Sequence, residues 1–359
     1  MNKKIITTLA IIGAFLISMP ASAVGRNFKN NPLKADETME LTYVPVAVNQ
    51  KMPRKTDGYA YNYCTAQGFT STDKYLVVTL RRCGSDTKYD DKNLLLLYDT
   101  SGKLIKVSKP IDLGHGNDLT WNGTYIVAAN TLDGNKEIVL IDPNTLKVVK
   151  TVNAPKGGGG LAYDSERGYY YQSYDGGVRV LDSNFQLING AESHYIDTNP
   201  WGNQGVSYNM GYVFRPQRVK TDDTTFTNSS NLNKDATVVL QFSPTGVFTK
   251  AYYSSTPKCE VENITFLDDV PYLLYSKCAG TTAESARAQA TSEQPRYFAI
   301  YKITDEAILE TMRQQYTITY DANGGTGAPA PQVAYIGTAT KLSKEIPLAG
   351  DPEDPGPGL

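Results

Sequence analysis

The chain has 359 residues, with 35 basic and 37 acidic side chains and a formal charge of −2. Near-neutrality without clustered Lys or Arg argues against a nucleic-acid partner. Tyrosine dominates the aromatics, at 25 residues against 10 Phe and 2 Trp, which suits half-buried sheets.

Residues 1–23 read as a removable signal peptide. Asn2-Lys3-Lys4 is basic, residues 5–18 are apolar, and Ala21-Ser22-Ala23 is an A-x-A cleavage site. The apolar run falls short of the ~20 residues a spanning helix needs. A secreted or cell-surface protein without a transmembrane anchor is therefore expected. Without the leader, 33 basic residues face 37 acidic ones, a net charge of about −4. Residues 24–36 are polar and aperiodic, a flexible leader. Residues 37–48 (ETMELTYVPVAV) read as a lone strand.

A repeat then begins. In residues 114–130 (GHGNDLTWNGTYIVAAN), a polar cluster enters a short strand, turns at Asn122-Gly123 and returns as Tyr125-Ile126-Val127-Ala128-Ala129. That is a β-hairpin pattern. The phrase recurs four more times, from Gln67-Gly68, Gly160-Leu161, Gln204-Gly205 and Glu262-Asn263. The marker positions Gln67, Asn117, Gly160, Gln204 and Glu262 lie 50, 43, 44 and 58 residues apart. Such spacing between groups of short strands is the signature of a β-propeller with about four strands per blade. Most units continue as strand, turn, strand, with an Asp opening the turn in three of them (Asp99, Asp142, Asp182). The third unit ends in Phe185-Gln186-Leu187-Ile188. The fifth has only Tyr297-Phe298-Ala299-Ile300-Tyr301-Lys302-Ile303 after its hairpin and lacks a fourth strand. The lone strand 37–48 can pair there and close the ring, removing an exposed edge. The expected fold is all-β: a propeller over 37–304, five blades by first count, or six if the long fourth unit holds extra structure. Polar insertions at 219–235 and 279–295 are long enough to be rim or lid segments.

Cysteine placement agrees with export. Cys64 and Cys83, and likewise Cys259 and Cys278, are separated by 19 residues and flank a hairpin. Such ends meet across an antiparallel pair, so bridges 64–83 and 259–278 are expected. They imply an oxidising compartment.

Residues 305–315 (DEAILETMRQQ) read as a short helix or spacer, followed by a small β module over 316–350 and a Pro/Gly tail, 351–359. The strand–Asp–turn–strand phrase resembles the NHL and YVTN-type propeller families over about 37–304. The Tyr-Thr-Ile-Thr-Tyr strand, Asp321-Ala322-Asn323-Gly324-Gly325 and Gly337-Thr338 resemble the start of the Listeria–Bacteroides repeat (internalin B-type B repeat). That family's second half is absent here. The resemblance implies a bacterial surface or secreted protein of Gram-positive type.

Propeller geometry would gather Gln67, His115, Asn117, Asp118, Gln204, Glu262 and Asn263 at the mouth of the central channel, where the inner strands start. That mouth is the expected ligand site. Polar groups there can equally bond backbone or buried water. Asn117, Asp118, Glu262 and Asn263 offer oxygen ligands suited to calcium. Their Asn-Asp and Glu-Asn pairs resemble the metal centre of calcium-dependent lactonase-type propellers, which have six blades. Trp201, beside Tyr208, Tyr212, Arg215 and Arg218, is a further platform for a sugar or peptide, or packs between blades. The expected function is binding of an extracellular glycan, peptide or envelope component by a monomer. The alternative is a lactonase-, esterase- or glycosidase-like hydrolase at the same mouth, with Asp118, Glu262 and His115 as its catalytic candidates.

Overall fold

A computed structural model describes residues 33–82, 92–116, 118–130, 136–154, 157–174, 177–188, 202–218, 236–255, 259–278, 296–320, 328–335 and 342. The run Leu94-Leu95-Leu96-Leu97 shows how its strands are used, because all four side chains are buried. Leu94 and Leu96 pack toward the preceding sheet, while Leu95 and Leu97 pack toward the following one. A strand covered on both faces needs apolar residues at every position rather than at alternate ones.

Five antiparallel sheets repeat this plan around a ring. Blade 1 holds Tyr63–Ser71, Leu76–Arg82, Lys92–Tyr98 and Leu104–Val107. Blade 2 holds Leu119–Trp121, Ile126–Asn130, Glu137–Ile141 and Val148–Asn153. Blade 3 has Gly160–Asp164, Tyr169–Tyr174 and Gly177–Leu181. The fourth strand expected at 185–188 is reduced to one bridge, Leu181 to Leu187. There the Asp182 carboxylate accepts from the Asn184 and Gln186 amides, and Phe185, at φ 62°, turns into the core between blades 2 and 3. Blade 4 has a split inner strand, Gly202–Asn203 and Ser207–Asn209, followed by Tyr212–Arg218, Thr237–Phe242 and Phe248–Ser254. Blade 5 holds Glu260–Leu267, Val270–Cys278 and Tyr297–Lys302. The long fourth unit supplies one blade, and the count is five.

Five hydrophobic layers lie between successive blades. Blade 5 meets blade 1 through Phe298, Ile300 and Leu274 against Phe69, Leu76 and Val78, so the ring is continuous. Leu→Ala at a position as buried as Leu95 costs about 2–5 kcal/mol.

Closure is made from the N-terminal side, with a register that differs from expectation. Val44–Lys51, rather than 37–48, pairs antiparallel with Tyr297–Lys302. Thr38–Glu40 instead adds in parallel to Phe248–Ser254 of blade 4. Between the two, the Leu41 amide donates to the Tyr253 carbonyl at 2.7 Å, and Leu41 and Tyr43 sink into the layer between blades 4 and 5. That burial draws the segment across the groove between the blades and splits one expected strand into two.

The cystine Cys259–Cys278 bridges the start and end of the blade 5 hairpin, with Cα atoms 5.1 Å apart. The expected 64–83 bridge involves Cys83, which lies outside the described residues, as do residues 24–32 of the leader, the 219–235 and 279–295 insertions and most of 316–350. The end of the leader is structured rather than flexible: Leu33 is buried between blades 3 and 4, and Ala35–Glu37 form a 3-10 turn. The 305–315 segment is packed against the ring. Its helix Glu306–Thr311 is capped by Asp305, whose carboxylate accepts from the Ala307 amide at 3.0 Å. Ile308, Leu309 and Met312 join the layer between blades 4 and 5. A two-stranded antiparallel hairpin, Gln315–Ile318 with Gln332–Tyr335, follows. Among the described residues, no helix is long and apolar enough to cross a membrane.

Candidate ligand site on the propeller axis

The residue after the marker in four blades, and the marker itself in blade 3, meet at the axis in or beside the inner strands: Gly68, Asp118, Gly160, Gly205 and Asn263. Two of the three glycines make room for the side chains of the other two, while Gly68 lies against the Gly116 carbonyl and Thr79. A Cβ on Gly160 would lie 2.3 Å from Asp118 Oδ2, and one on Gly205 would lie 2.4 Å from Asn263 Oδ1. Asp118 and Asn263 have no solvent exposure. Asp118 Oδ2 accepts from the Val206 amide at 2.9 Å, and Oδ1 accepts from its neighbour Leu119 at 2.8 Å and from Asn263 Nδ2. Asn263 Nδ2 also donates to the Phe69 carbonyl at 3.1 Å, while its Oδ1 accepts from the Ile264 amide at 2.8 Å. Blades 1, 2, 4 and 5 are thus joined through two side chains. Burial pushes the Asp118 carboxyl well above the usual range, and the two backbone amides act against it.

The other expected site residues are distributed around this hub. Gln67 is buried, and its side-chain amide donates to the Ala66 carbonyl at 3.0 Å. His115 faces Arg81, whose Nη1 lies 3.1 Å from Nδ1. Gln204 Nε2 donates to Glu260 Oε1 at 3.1 Å, and Arg218 pairs with the same oxygen at 3.0 Å. Glu262 is buried, and its carbonyl accepts from the Gly205 amide at 3.0 Å. Asn117 and Trp201 lie outside the described residues. Of the residues expected beside Trp201, Arg215 has no solvent exposure, Arg218 is ion-paired with Glu260, and Tyr208 and Tyr212 are half-buried. Among the described residues, no group of three or more His, Cys, Asp or Glu side chains could hold a metal.

A ligand-sized cavity, about 450 Å³, lies at the other end of the same strands. All five blades contribute to it. Blade 1 gives Thr70, Ser71 and Asp73, and blade 2 gives Thr120, Trp121 and Asn122. Blade 3 gives Tyr163, Ser165 and Glu166, blade 4 Ser207, Tyr208 and Met210, and blade 5 Thr265, Phe266 and Asp269. The position three residues beyond the axial one lines the cavity in every blade: Ser71, Trp121, Tyr163, Tyr208 and Phe266. Four of the five are aromatic. That repeated aromatic is legible in the sequence at a fixed three-residue offset from the axial position.

The cavity wall is held by hydrogen bonds. Trp121 Nε1 donates to Asp73 Oδ1 at 2.8 Å, and Thr120 Oγ1 accepts from the Tyr163 amide at 2.9 Å. Ser71 Oγ donates to the Phe266 carbonyl, and Thr265 Oγ1 donates to Ser71 Oγ at 3.3 Å. The Tyr208 ring stacks on Tyr171, centroids 5.7 Å apart, and its hydroxyl donates to Glu166 Oε2. That hydroxyl also accepts from Arg167 Nη1 at 3.2 Å and from the Gly211 amide at 3.1 Å. Arg167 holds buried Asp164 at 2.8 Å. Although much of the Glu166 side chain reaches solvent, partial burial of its carboxyl pushes its pKa up to about 7. Adjacent Asp164 adds to the rise, while Tyr208 and Arg167 oppose it. Burial also raises Asp269, with Arg313 acting the other way.

Fold and cavity together define a five-bladed β-propeller with a ligand-sized axial site. No family model and no curated protein matches the chain. Several solved structures align with it over part or most of their length. The RRP9 WD40 repeats align at 10% identity and a TM-score of 0.39, covering 73% of this chain and 100% of that one. A chain of a nidogen/laminin complex aligns at 11% identity and 0.37, covering 72% and 97%. Hydrazine synthase from Kuenenia stuttgartiensis aligns at 11% and 0.33, and this chain spans 63% of that chain. The blade count rests on the strand pairings of this chain.

Proposed function

We propose that this propeller is an exported recognition module that binds a glycan of the cell envelope or surroundings in its axial cavity. The observation that carries the reading is the repeated aromatic at the cavity-lining position of four blades, among hydroxyls from all five. Aromatic faces cover the apolar side of a sugar ring, while Thr70, Ser71, Thr120, Ser207 and Thr265 supply the few polar groups that fix its orientation. Export is supported by the leader-like residues 1–23 and by the Cys259–Cys278 bridge. The test is calorimetric titration of the full chain with neutral oligosaccharides, N-acetylglucosamine and glucose tetramers first. Saturable binding that is lost in Trp121→Ala, at an unchanged melting temperature, supports the reading. No heat with any tetramer at millimolar concentration, glucosamine tetramer included, would sink it.

A hydrolytic reading has one specific observation in its favour. Glu166, with its pKa near 7, has the protonation behaviour of a general acid beside a cavity. Release of product from either tetramer, abolished by Glu166→Gln, would move the protein into that class.

A further inference from the structure

The charge balance of the cavity narrows the ligand class, resting on the glycan reading above. We propose that the axial cavity selects sugars that carry an ammonium group, the free amine of a de-N-acetylated amino sugar. Three carboxylates, Asp73, Glu166 and Asp269, line the cavity, and among the described residues no Lys, Arg or His lines it. Two cations stand behind these carboxylates and balance them in part: Arg167, bound to Asp164 at 2.8 Å and to the Tyr208 hydroxyl, also acts on Glu166, and Arg313 acts on Asp269, which lies beside Asp268 as well.

The aromatic rings act in the same sense. A cation over the face of Trp or Tyr is attracted by the ring quadrupole, by about 0.5–2 kcal/mol depending on desolvation. Trp121 Nε1 is tied to Asp73 at 2.8 Å, so a group resting on this indole is also close to a carboxylate. Tyr208 and Glu166 form a second ring–carboxylate pair through the tyrosine hydroxyl. Walls from blades 1–2 and from blades 3–4 thus present the same combination. An N-acetylated sugar entering the cavity would desolvate these carboxylates without offering a countercharge, which costs free energy. A free ammonium supplies that charge.

Glu166 gives the selection a pH signature. The groups facing it are Asp164, Arg167 and Tyr208, with Tyr171 bonded to Asp164 behind them. Ionisation of Glu166 through neutrality strengthens its attraction for a cation.

The experiment titrates the full chain with glucosamine tetramer and N-acetylglucosamine tetramer at about pH 6 and about pH 7.5, at low and high salt. The amine oligomer is expected to bind about tenfold tighter than the acetylated one. Its advantage should shrink in salt; because the sugar amine loses its proton over the range in which Glu166 gains its charge, the advantage should fall less from pH 6 to pH 7.5 in the parent than in Glu166→Gln. Equal affinities, or binding of the acetylated oligomer alone, would overturn this inference and leave the glycan reading standing. An advantage that survives Asp73→Asn, Glu166→Gln and Asp269→Asn together would place the cation elsewhere and equally overturn it. Failure of both oligomers to bind would remove both readings.

Discussion

Gly160→Ala tests the axial hub directly. The added methyl would stand 2.3 Å from Asp118 Oδ2 and 3.1 Å from its Cγ, distances no relaxed side chain shows. Either the blade 3 strand moves outward or the Asp118 carboxylate swings away from the Val206 amide, which it holds at 2.9 Å. Overpacking of a core costs about 1–3 kcal/mol, and a buried amide stripped of its acceptor costs about 1–3 kcal/mol. The expected destabilisation is therefore about 1–3 kcal/mol by either route and up to about 6 kcal/mol where both occur, or at least about 2 °C in melting temperature for a domain of this size. Urea unfolding followed by tyrosine fluorescence gives the value. In an Asp118→Ala background the same glycine change should cost clearly less, because Oδ2 and Cγ are gone and only the Cβ of position 118, at 3.0 Å, remains. A Gly160→Ala protein as stable as the parent, or an equal cost in both backgrounds, would refute the hub as described.

Three further outcomes are expected. Both Asp118 carboxylate oxygens already accept hydrogen bonds, so millimolar calcium should leave the melting temperature unchanged; a rise abolished by Asp118→Ala would show that these oxygens bind metal instead. Replacing Cys259 and Cys278 together by Ser opens a loop spanning 19 residues and should cost about 3 kcal/mol in urea unfolding, whereas an unchanged midpoint would mean the bridge adds nothing. Hydrogen bonds from Ser101 and Lys103 hold the Asp99 carboxyl below its usual range, as those from Thr145 and Asn144 hold Asp142. A depressed folded pKa contributes stability at neutral pH that is lost as pH falls through the carboxylate range. The Asp99→Ala/Asp142→Ala protein should therefore lose less stability than the parent between pH 5 and pH 2, and equal acid slopes would count against these turns.

Much of this architecture is legible in the sequence because it is local and repeated. The five hairpin phrases, the Asp99, Asp142 and Asp182 turns and the 19-residue spacing of Cys259 and Cys278 each depend on neighbouring residues. The places where reading failed depend on contacts between distant segments. Residues 37–48 are extended throughout, and nothing local says that Leu41 will sink between two blades and divide them. Phe185-Gln186-Leu187-Ile188 has strand composition, but Phe185 is drawn into the core between blades 2 and 3 instead. The candidate site also depends on contacts between distant segments. Asp118 and Asn263 are conspicuous because polar residues interrupt apolar strands, yet their polarity is spent on joining blades. The aromatics at the far strand ends looked like ordinary sheet residues until the ring placed Trp121, Tyr163, Tyr208 and Phe266 around one cavity.

Closure by residues 38–51 also sets an order of events. The segment that seals the ring is made before any blade, and its partners, Phe248–Ser254 and Tyr297–Lys302, are separated from it by some two hundred residues of chain. Until Tyr297–Lys302 has been synthesised, blade 5 is incomplete and the layer between blades 5 and 1 cannot form. Contacts of such long range form slowly, and partly built blades expose sheet edges meanwhile. A chain emerging N-terminus first thus carries its own clasp from the start but cannot fasten it until nearly all of the propeller has been made.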